Sequence, residues 1–192
     1  MATVITHAIV ATALGQIGKA AWRKEWTFWC AAILCSMLPD IDVIGLYNGI
    51  PYGAPWGHRG ITHSLMFAAV IATLLAGASG DLFRERWKLA GLLFCITASH
   101  GVLDAMTNGG LGIAFFSPFN PQRYFLPWRP IAVSPIGGRF FSSSRGLHVL
   151  FTEMVWVWTP TLIITGIIWA VRAGRRNANQ KRSGDRRDLV IR

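Results

Sequence analysis

Apolar residues are concentrated in five segments, and polar or glycine- and proline-rich connections separate them. The segments are Thr3–Ile17, Trp26–Leu38, Ile61–Ala78, Leu89–Met106 and Val149–Val171. A helix needs about 20 apolar residues to cross the hydrocarbon core of a bilayer. The last three segments are the better candidates, whereas the first two are short, so we expect them to use flanking residues or to end below the surface. The pattern predicts an all-α fold, an integral membrane bundle of about five hydrophobic helices.

The composition agrees with a membrane protein. The chain is 52% hydrophobic and only 15% charged, and it contains nine tryptophans, a residue that favours the lipid–water boundary. Its three cysteines lie in apolar segments and form no CxxC motif, so they indicate neither a disulfide framework nor a thiolate metal site. The N-terminus lacks the positive region of a secretory signal, so we expect a retained first helix.

The net charge of +10 is unevenly distributed, and eight of the 19 basic residues follow position 171. A basic tail next to a membrane helix is typical of a topology signal, so we expect no nucleic-acid partner. The first connection, the third connection and the tail hold 14 basic residues, against five in the other connections. The positive-inside rule therefore predicts a cytoplasmic tail, residues 172–192, behind a membrane-embedded domain, residues 1–171.

The fourth connection, residues 108–148, is too long for a simple turn. We expect it on the non-cytoplasmic side, before the last helix. Connections of this length are usually functional or disordered. Its aromatic residues predict packing on the membrane surface instead of disorder: Phe115, Phe116, Phe119, Phe125 and Trp128.

This topology places many ionisable residues at one membrane face. They include all five histidines and several carboxylates: His7, Asp40, Asp42, His58, His63, His100, Asp104, His148 and Glu153. The topology was derived from Lys and Arg alone, so the convergence is an independent observation. Ionisable groups at membrane depth are costly and usually face a partner or a wet cavity. Imidazole with carboxylate is a ligand set for zinc, or for manganese.

Each pair also has a simpler interpretation. His100 and Asp104 are four residues apart, so a helix aligns them, but a buried hydrogen bond alone would explain that. Asp40 and Asp42 could merely end a helix. His58 and His63 are five apart, and they converge only if Gly60 keeps His58 in the loop. His7 alone is more typical of a packed histidine, and His148 is the weakest member. Taken together, these pairs predict a metal site.

Four motifs resemble one known family. They are TH at Thr6–His7, LPDID at Leu38–Asp42, HRGITHS at His58–Ser64 and SHGVLDAMTNGG at Ser99–Gly110. In this order they resemble the LexA-regulated, inner-membrane, metal-dependent hydrolases of bacteria and archaea (YdjM-like). The resemblance implies a multi-pass inner-membrane hydrolase with ligands among a set of seven residues: His7, Asp40, His58, His63, His100, Asp104 and the late acid Glu153.

The pattern is also distantly similar to zinc-dependent phospholipase C, which hydrolyses phosphodiesters. That family has more histidines than this chain, so the number of metal ions stays open. We expect metal-dependent hydrolysis of a phosphoester in a membrane lipid or lipid-linked substrate, with Zn²⁺ as cofactor and Mn²⁺ as the alternative. His63, His100 and Asp104 are the expected central ligands. Asp42 is the expected general base or orienting partner, and Arg59 the expected phosphate contact. The oligomeric state is open.

Two other functions use the same cluster. A membrane transporter of metals or other ions would line a pathway with it, but the inner halves of the predicted helices are nearly free of ionisable groups. A non-enzymatic membrane protein could contain it as a polar core, although such a core does not require the HRG motif or two neighbouring acids.

Overall fold

The described part of the chain folds into helices and the connections between them. The computed structural model describes residues 1–18, 22–79, 85–135 and 143–190, with side chains to residue 177. The helices are α1 (Val4–Gly15), α2 (Trp26–Met37), α3 (Asp42–Tyr47), α4 (Leu65–Ala78), α5 (Arg86–Ala105), α6 (Ser144–Glu153) and α7 (Thr159–Val190). Within the described ranges there is no strand, only two isolated β-bridges. The predicted all-α class is confirmed.

Two of the long helices contain an irregular turn. A 3₁₀ turn, Leu38–Ile41, joins α2 to α3, and a π turn, Met154–Trp158, joins α6 to α7. In the described part of the chain the seven segments therefore form five continuous helices, as predicted. The backbone of the basic tail continues α7, because that helix extends to Val190.

The helix lengths differ from those expected. Among the described residues, three helices are long and apolar enough to cross a membrane: Trp26–Tyr47, Arg86–Ala105 and Ser144–Asn177. The second apolar segment gains length because the turn at Pro39 bends the helix without ending it. The third loses length because residues 61–63 form a separate turn. The Ser64 hydroxyl then caps α4 by accepting from the Phe67 N–H.

Small residues allow the helices to pack closely. Ala68, Ala72 and Ala76 form the buried face of α4. Ala72 and Ala76 pack in a core where Phe28 and Leu93 are also fully buried. Lipid tails are as apolar as side chains, so close packing of small residues holds such helices together. This apolar core occupies the part of the bundle away from the polar residues described below.

The fourth connection folds over the polar end of the bundle. Ile113 and Ile131 are fully buried, whereas Phe119 is 84% exposed and Trp128 is 54% exposed. The Ala114 N–H donates to the Arg59 carbonyl at 3.1 Å. The connection is thus anchored by aliphatic residues, and the contact of its aromatic residues with a membrane surface stays a prediction. Four basic residues used for the topology lie outside the described residues: Lys19, Arg84, Arg139 and Arg192.

Candidate metal centre

Four ligand-type side chains from three parts of the fold meet at one point. Asp40 comes from the turn after α2, His63 from the turn before α4, and His100 and Asp104 from one face of α5. One ligand atom from each lies within 4.8 Å of the others. His63, His100 and Asp104 are buried, and we call these four residues the metal centre.

The distances within the metal centre suit a shared cation. Asp40 Oδ1 lies 3.4 Å from His100 Nε2 and 3.6 Å from His63 Nε2. His63 Nε2 lies 3.9 Å from Asp104 Oδ2. Two ligands bound tetrahedrally at about 2.0–2.2 Å from zinc are roughly 3.4 Å apart. The observed separations are long for hydrogen bonds but close to those between ligands of one ion.

The same atoms have no hydrogen-bond partner among the described residues. Both carboxylate oxygens of Asp40 and the Nε2 atoms of His63 and His100 are buried and unpaired. Buried polar atoms are nearly always hydrogen-bonded, so each exception requires an explanation. Lone pairs on imidazole and carboxylate are ligands of divalent cations. The donor set therefore fits a bound divalent metal.

Neighbouring groups orient both imidazoles towards Asp40. The Nδ1 of His100 lies 2.7 Å from the Ser36 carbonyl oxygen, which only accepts, so Nδ1 carries the proton. The Thr62 hydroxyl donates to Asp42 Oδ2 at 2.6 Å, and His63 Nδ1 lies 3.1 Å from each of these two oxygens, both of which can accept from it. These bonds leave the Nε2 lone pairs of His63 and His100 facing the centre, as in many metal-binding histidines.

Asp42 and His58 lie beside the metal centre. With His63 they form a second group whose ligand-type atoms lie within 4.8 Å of one another. In this group His58 Nδ1 donates to Asp42 Oδ1 at 2.7 Å, and the Arg59 N–H donates to Asp42 Oδ2 at 3.0 Å. The Asp42 carboxylate is thus occupied by hydrogen bonds. This geometry favours an orienting role for Asp42 over the role of general base.

His7 is adjacent to the metal centre without belonging to either group. Its ring stacks on His100 with centroids 3.7 Å apart and planes at 9°. His7 Nε2 lies 3.7 Å from Asp104 Oδ1, and both of its ring nitrogens are buried and unpaired within the described chain. His7 is therefore placed to complete the coordination of one ion or to bind a second.

Arg59 contacts the metal centre through a hydrogen bond to Asp104. Its side chain is fully buried. Nε donates to Asp104 Oδ2 at 3.2 Å, Nη2 donates to Thr107 Oγ1 at 3.0 Å, and Nη1 donates to the Gly109 carbonyl at 2.8 Å. Its φ of 65° is left-handed, a conformation that costs a non-glycine residue about 1–2 kcal/mol. All three nitrogens have protein partners, which favours positioning of Asp104 over the expected contact with a substrate phosphate.

Glu153 is not brought into the metal centre. It is fully buried at the start of α1. It accepts the Thr3 N–H and the Thr3 hydroxyl, each at 2.5 Å, and the Thr6 hydroxyl at 2.7 Å. The first turn of a helix has unpaired N–H groups and a partial positive charge, and a carboxylate stabilises both. Glu153 therefore caps α1 directly, although it is distant from α1 in sequence. His148 is exposed on α6.

Sequence reasoning missed several supporting groups. Thr62 lies inside the HRGITHS motif, and a hydroxyl beside a histidine was an available signal. Ser36 contributes only a backbone carbonyl, for which a sequence carries no signal. The Tyr52 ring packs edge-on against His58 with centroids 5.2 Å apart. Burial raises the pKa of the Tyr52 hydroxyl, so it stays a neutral hydrogen-bond donor beside the site.

Comparisons with known proteins agree with this membrane architecture. The chain matches the family model "YdjM inner membrane protein" over residues 1–178. It is 38% identical over 176 residues to the inner membrane protein YbcI of Escherichia coli (strain K12), covering 88% of this chain and 98% of that relative. No solved structure matches the chain. All the residues of the metal centre lie within the matched region, and the chain belongs to the YdjM inner membrane protein family.

Proposed function

We propose that this protein is a metal-dependent hydrolase of the inner membrane, acting on a phosphoester of a lipid or lipid-linked molecule. The observation that carries the proposal is the set of buried, unpaired ligand atoms on Asp40, His63 and His100. The two imidazoles and two carboxylates of the metal centre suit Zn²⁺, with Mn²⁺ as the alternative. When bound, such a cation supplies Lewis acidity towards a water and a substrate oxygen.

The protein's own residues would bind the cation, orient its ligands and exclude bulk water from the site. His63, His100, Asp40 and Asp104 would bind the cation. Asp42, acting with Thr62, keeps the His63 ring in one orientation, and Arg59 holds Asp104. Burial of these groups excludes bulk water, which strengthens electrostatic interactions with a bound substrate. A phosphoester is proposed because its oxygens suit a metal held by imidazole and carboxylate, and because of the resemblance to zinc-dependent phospholipase C.

The arrangement favours hydrolysis over transport. The buried ionisable residues of the described chain gather at one end of the bundle, and the core beside α4 consists of apolar side chains such as Phe28 and Leu93. A transport pathway needs polar groups along its whole length. The apolar core beside α4 therefore supports a site that is confined to one end of the bundle.

The proposal is tested by measuring hydrolysis of lipid analogues by the purified protein in detergent, where no gradient across a membrane exists. Metal-loaded protein should hydrolyse at least one phosphodiester or phosphomonoester lipid analogue. A chelator should stop turnover, and added Zn²⁺ or Mn²⁺ should restore it. His100→Ala should be inactive, whereas His148→Ala, a change at an exposed histidine, should be fully active. Metal-loaded protein that leaves phosphoester, amide and carboxyl-ester analogues untouched would contradict the proposal and favour transport.

A further inference from the structure

An apolar groove lies between α1 and α7, on the outside of the bundle. It has a volume of about 470 Å³ and is lined by residues such as Ile5, Ile9 and Leu162. Two of its polar residues present no free hydroxyl donor, because Thr12 donates to the Ala8 carbonyl and Thr165 donates to the Thr161 carbonyl. The groove is therefore suited to a hydrocarbon chain.

The groove continues into a cavity lined by three arginines. This second cavity, of about 570 Å³, shares Gln16, Leu162 and Thr165 with the groove. It adds the arginine cluster Arg23, Arg172 and Arg176. A single carbonyl, that of Gln16, accepts from Arg23 Nη1 at 2.6 Å and from Arg172 Nη1 at 2.5 Å. The two guanidinium groups are therefore close neighbours.

The positive charge of this cluster has no paired carboxylate among the described residues. None of the ion pairs among the described residues involves Arg23, Arg172 or Arg176. The pKa of Arg23 is lowered, first by its burial and then by the positive charges of the other two arginines. The carbonyls at the C-terminal end of α1 carry only a partial negative charge. Like charges held this close repel one another, and an anion between them would remove the repulsion.

We propose that an anionic phospholipid binds at this position, with its phosphate at the arginine cluster and one acyl chain in the groove along α1. Guanidinium groups recognise phosphate through paired hydrogen bonds. Basic cavities between membrane helices are suited to anionic head groups. The apolar groove would hold an acyl chain of such a lipid, and the adjoining basic cavity would hold its phosphate.

This lipid site is separate from the metal centre. The arginine cluster surrounds the C-terminal end of α1, whereas His7 and the capping Glu153 lie towards its N-terminal end. A helix of 12 residues is about 18 Å long. The lipid site is therefore independent of the proposed hydrolase activity, and its test needs no turnover.

The experiment measures retention of single lipids by purified, delipidated protein with native mass spectrometry. Dioleoyl-phosphatidylglycerol should bind at low micromolar concentration, at least tenfold more tightly than the zwitterionic dioleoyl-phosphatidylcholine. Arg172→Gln and Arg176→Gln should each weaken phosphatidylglycerol binding about fivefold. Leu162→Trp should also weaken it, because the larger ring fills the groove.

The control is Arg175→Gln, which removes the same charge from an exposed residue of α7 that lines neither cavity. It should bind phosphatidylglycerol as the unaltered protein does. Arg176 makes no hydrogen bond among the described contacts, so its variant keeps the fold even where Arg23 or Arg172 variants do not. Equal binding of both lipids, equal loss in Arg175→Gln and Arg176→Gln, or displacement of the lipid by millimolar inorganic phosphate would each overturn the proposal.

Discussion

The Nε of Arg59 donates to Oδ2 of Asp104 at 3.2 Å, and neither side chain is exposed to solvent. Asp104 is at the same time a member of the metal centre. Removal of one partner of a buried ion pair leaves the other charge without compensation, a loss of about 3–5 kcal/mol. The pair therefore couples the stability of the fold to the position of a carboxylate in the candidate metal centre.

The first prediction concerns this pair. Arg59→Lys keeps the charge but loses the bonds to Thr107 and Gly109, so metal affinity should fall by roughly 10–100-fold, the range for partners of metal ligands. Isothermal titration with Zn²⁺ in detergent measures the change. Arg145→Lys, at an exposed residue, is the control. Unchanged metal affinity in Arg59→Lys, together with lost turnover, would support the phosphate contact expected from the sequence.

The second prediction concerns metal content. Protein purified without chelators should hold at least one equivalent of zinc or manganese, measured by inductively coupled plasma mass spectrometry. His63→Ala and His100→Ala should each lose most of it, because each removes a buried Nε2 from the metal centre. His148→Ala should retain it. Full metal content in both of the first two variants would show that the centre does not bind the ion.

The third prediction concerns the residues that orient His63. Asp42→Asn should lower metal affinity by about 10–100-fold without abolishing binding, since Asp42 acts through its hydrogen bonds. Thr62→Val removes a hydroxyl that contacts both His63 and Asp42, and it should have a smaller effect in the same direction because Asp42 Oδ2 also lies 3.1 Å from His63 Nδ1. Thr12→Val removes a hydroxyl bonded to a helical carbonyl and serves as the matched control. An effect of Asp42→Asn as large as that of His63→Ala would make Asp42 a direct ligand.

The fourth prediction separates capping from ligation at Glu153. Glu153→Ala leaves buried donors of Thr3 and Thr6 without an acceptor, which should destabilise the fold by about 3 kcal/mol. Thermal melting in detergent should show the loss, while metal content per folded protein stays unchanged. Glu153→Gln keeps one acceptor oxygen and should be less severe. Loss of metal at an unchanged melting temperature would instead identify Glu153 as a ligand.

The fifth prediction concerns orientation. A reporter fused after Arg192 should be active only in the cytoplasm, because eight basic residues follow the last membrane helix. A pair of fusions, one to a periplasm-dependent phosphatase and one to a cytoplasm-dependent fluorescent protein, measures this. Activity of the phosphatase fusion would place the metal centre on the cytoplasmic side.

The sequence predicted the helices and most of the polar cluster because both depend on local patterns. The spacing of His100 and Asp104 on one helix fixes their shared face. The actual partners of Arg59 and Glu153 depend on contacts distant in sequence. Glu153 accepts hydrogen bonds from the start of α1, 150 residues away, and the Arg59 side chain donates to Asp104, 45 residues away. Neither relationship leaves a periodic signal.

The π turn between α6 and α7 holds one residue more than a turn of α-helix would, within an otherwise regular helix. Before it, Glu153 points into the protein, and after it, Leu162 and Ile163 face outward. Loss of one residue within the turn, such as the exposed Val155, would restore ordinary helical winding and leave both neighbouring faces in register. Loss of one residue elsewhere in this helix would rotate everything beyond it by about 100°. The turn is therefore a stretch of this helix where evolution, or an engineer, can remove one residue without reorienting the faces on either side.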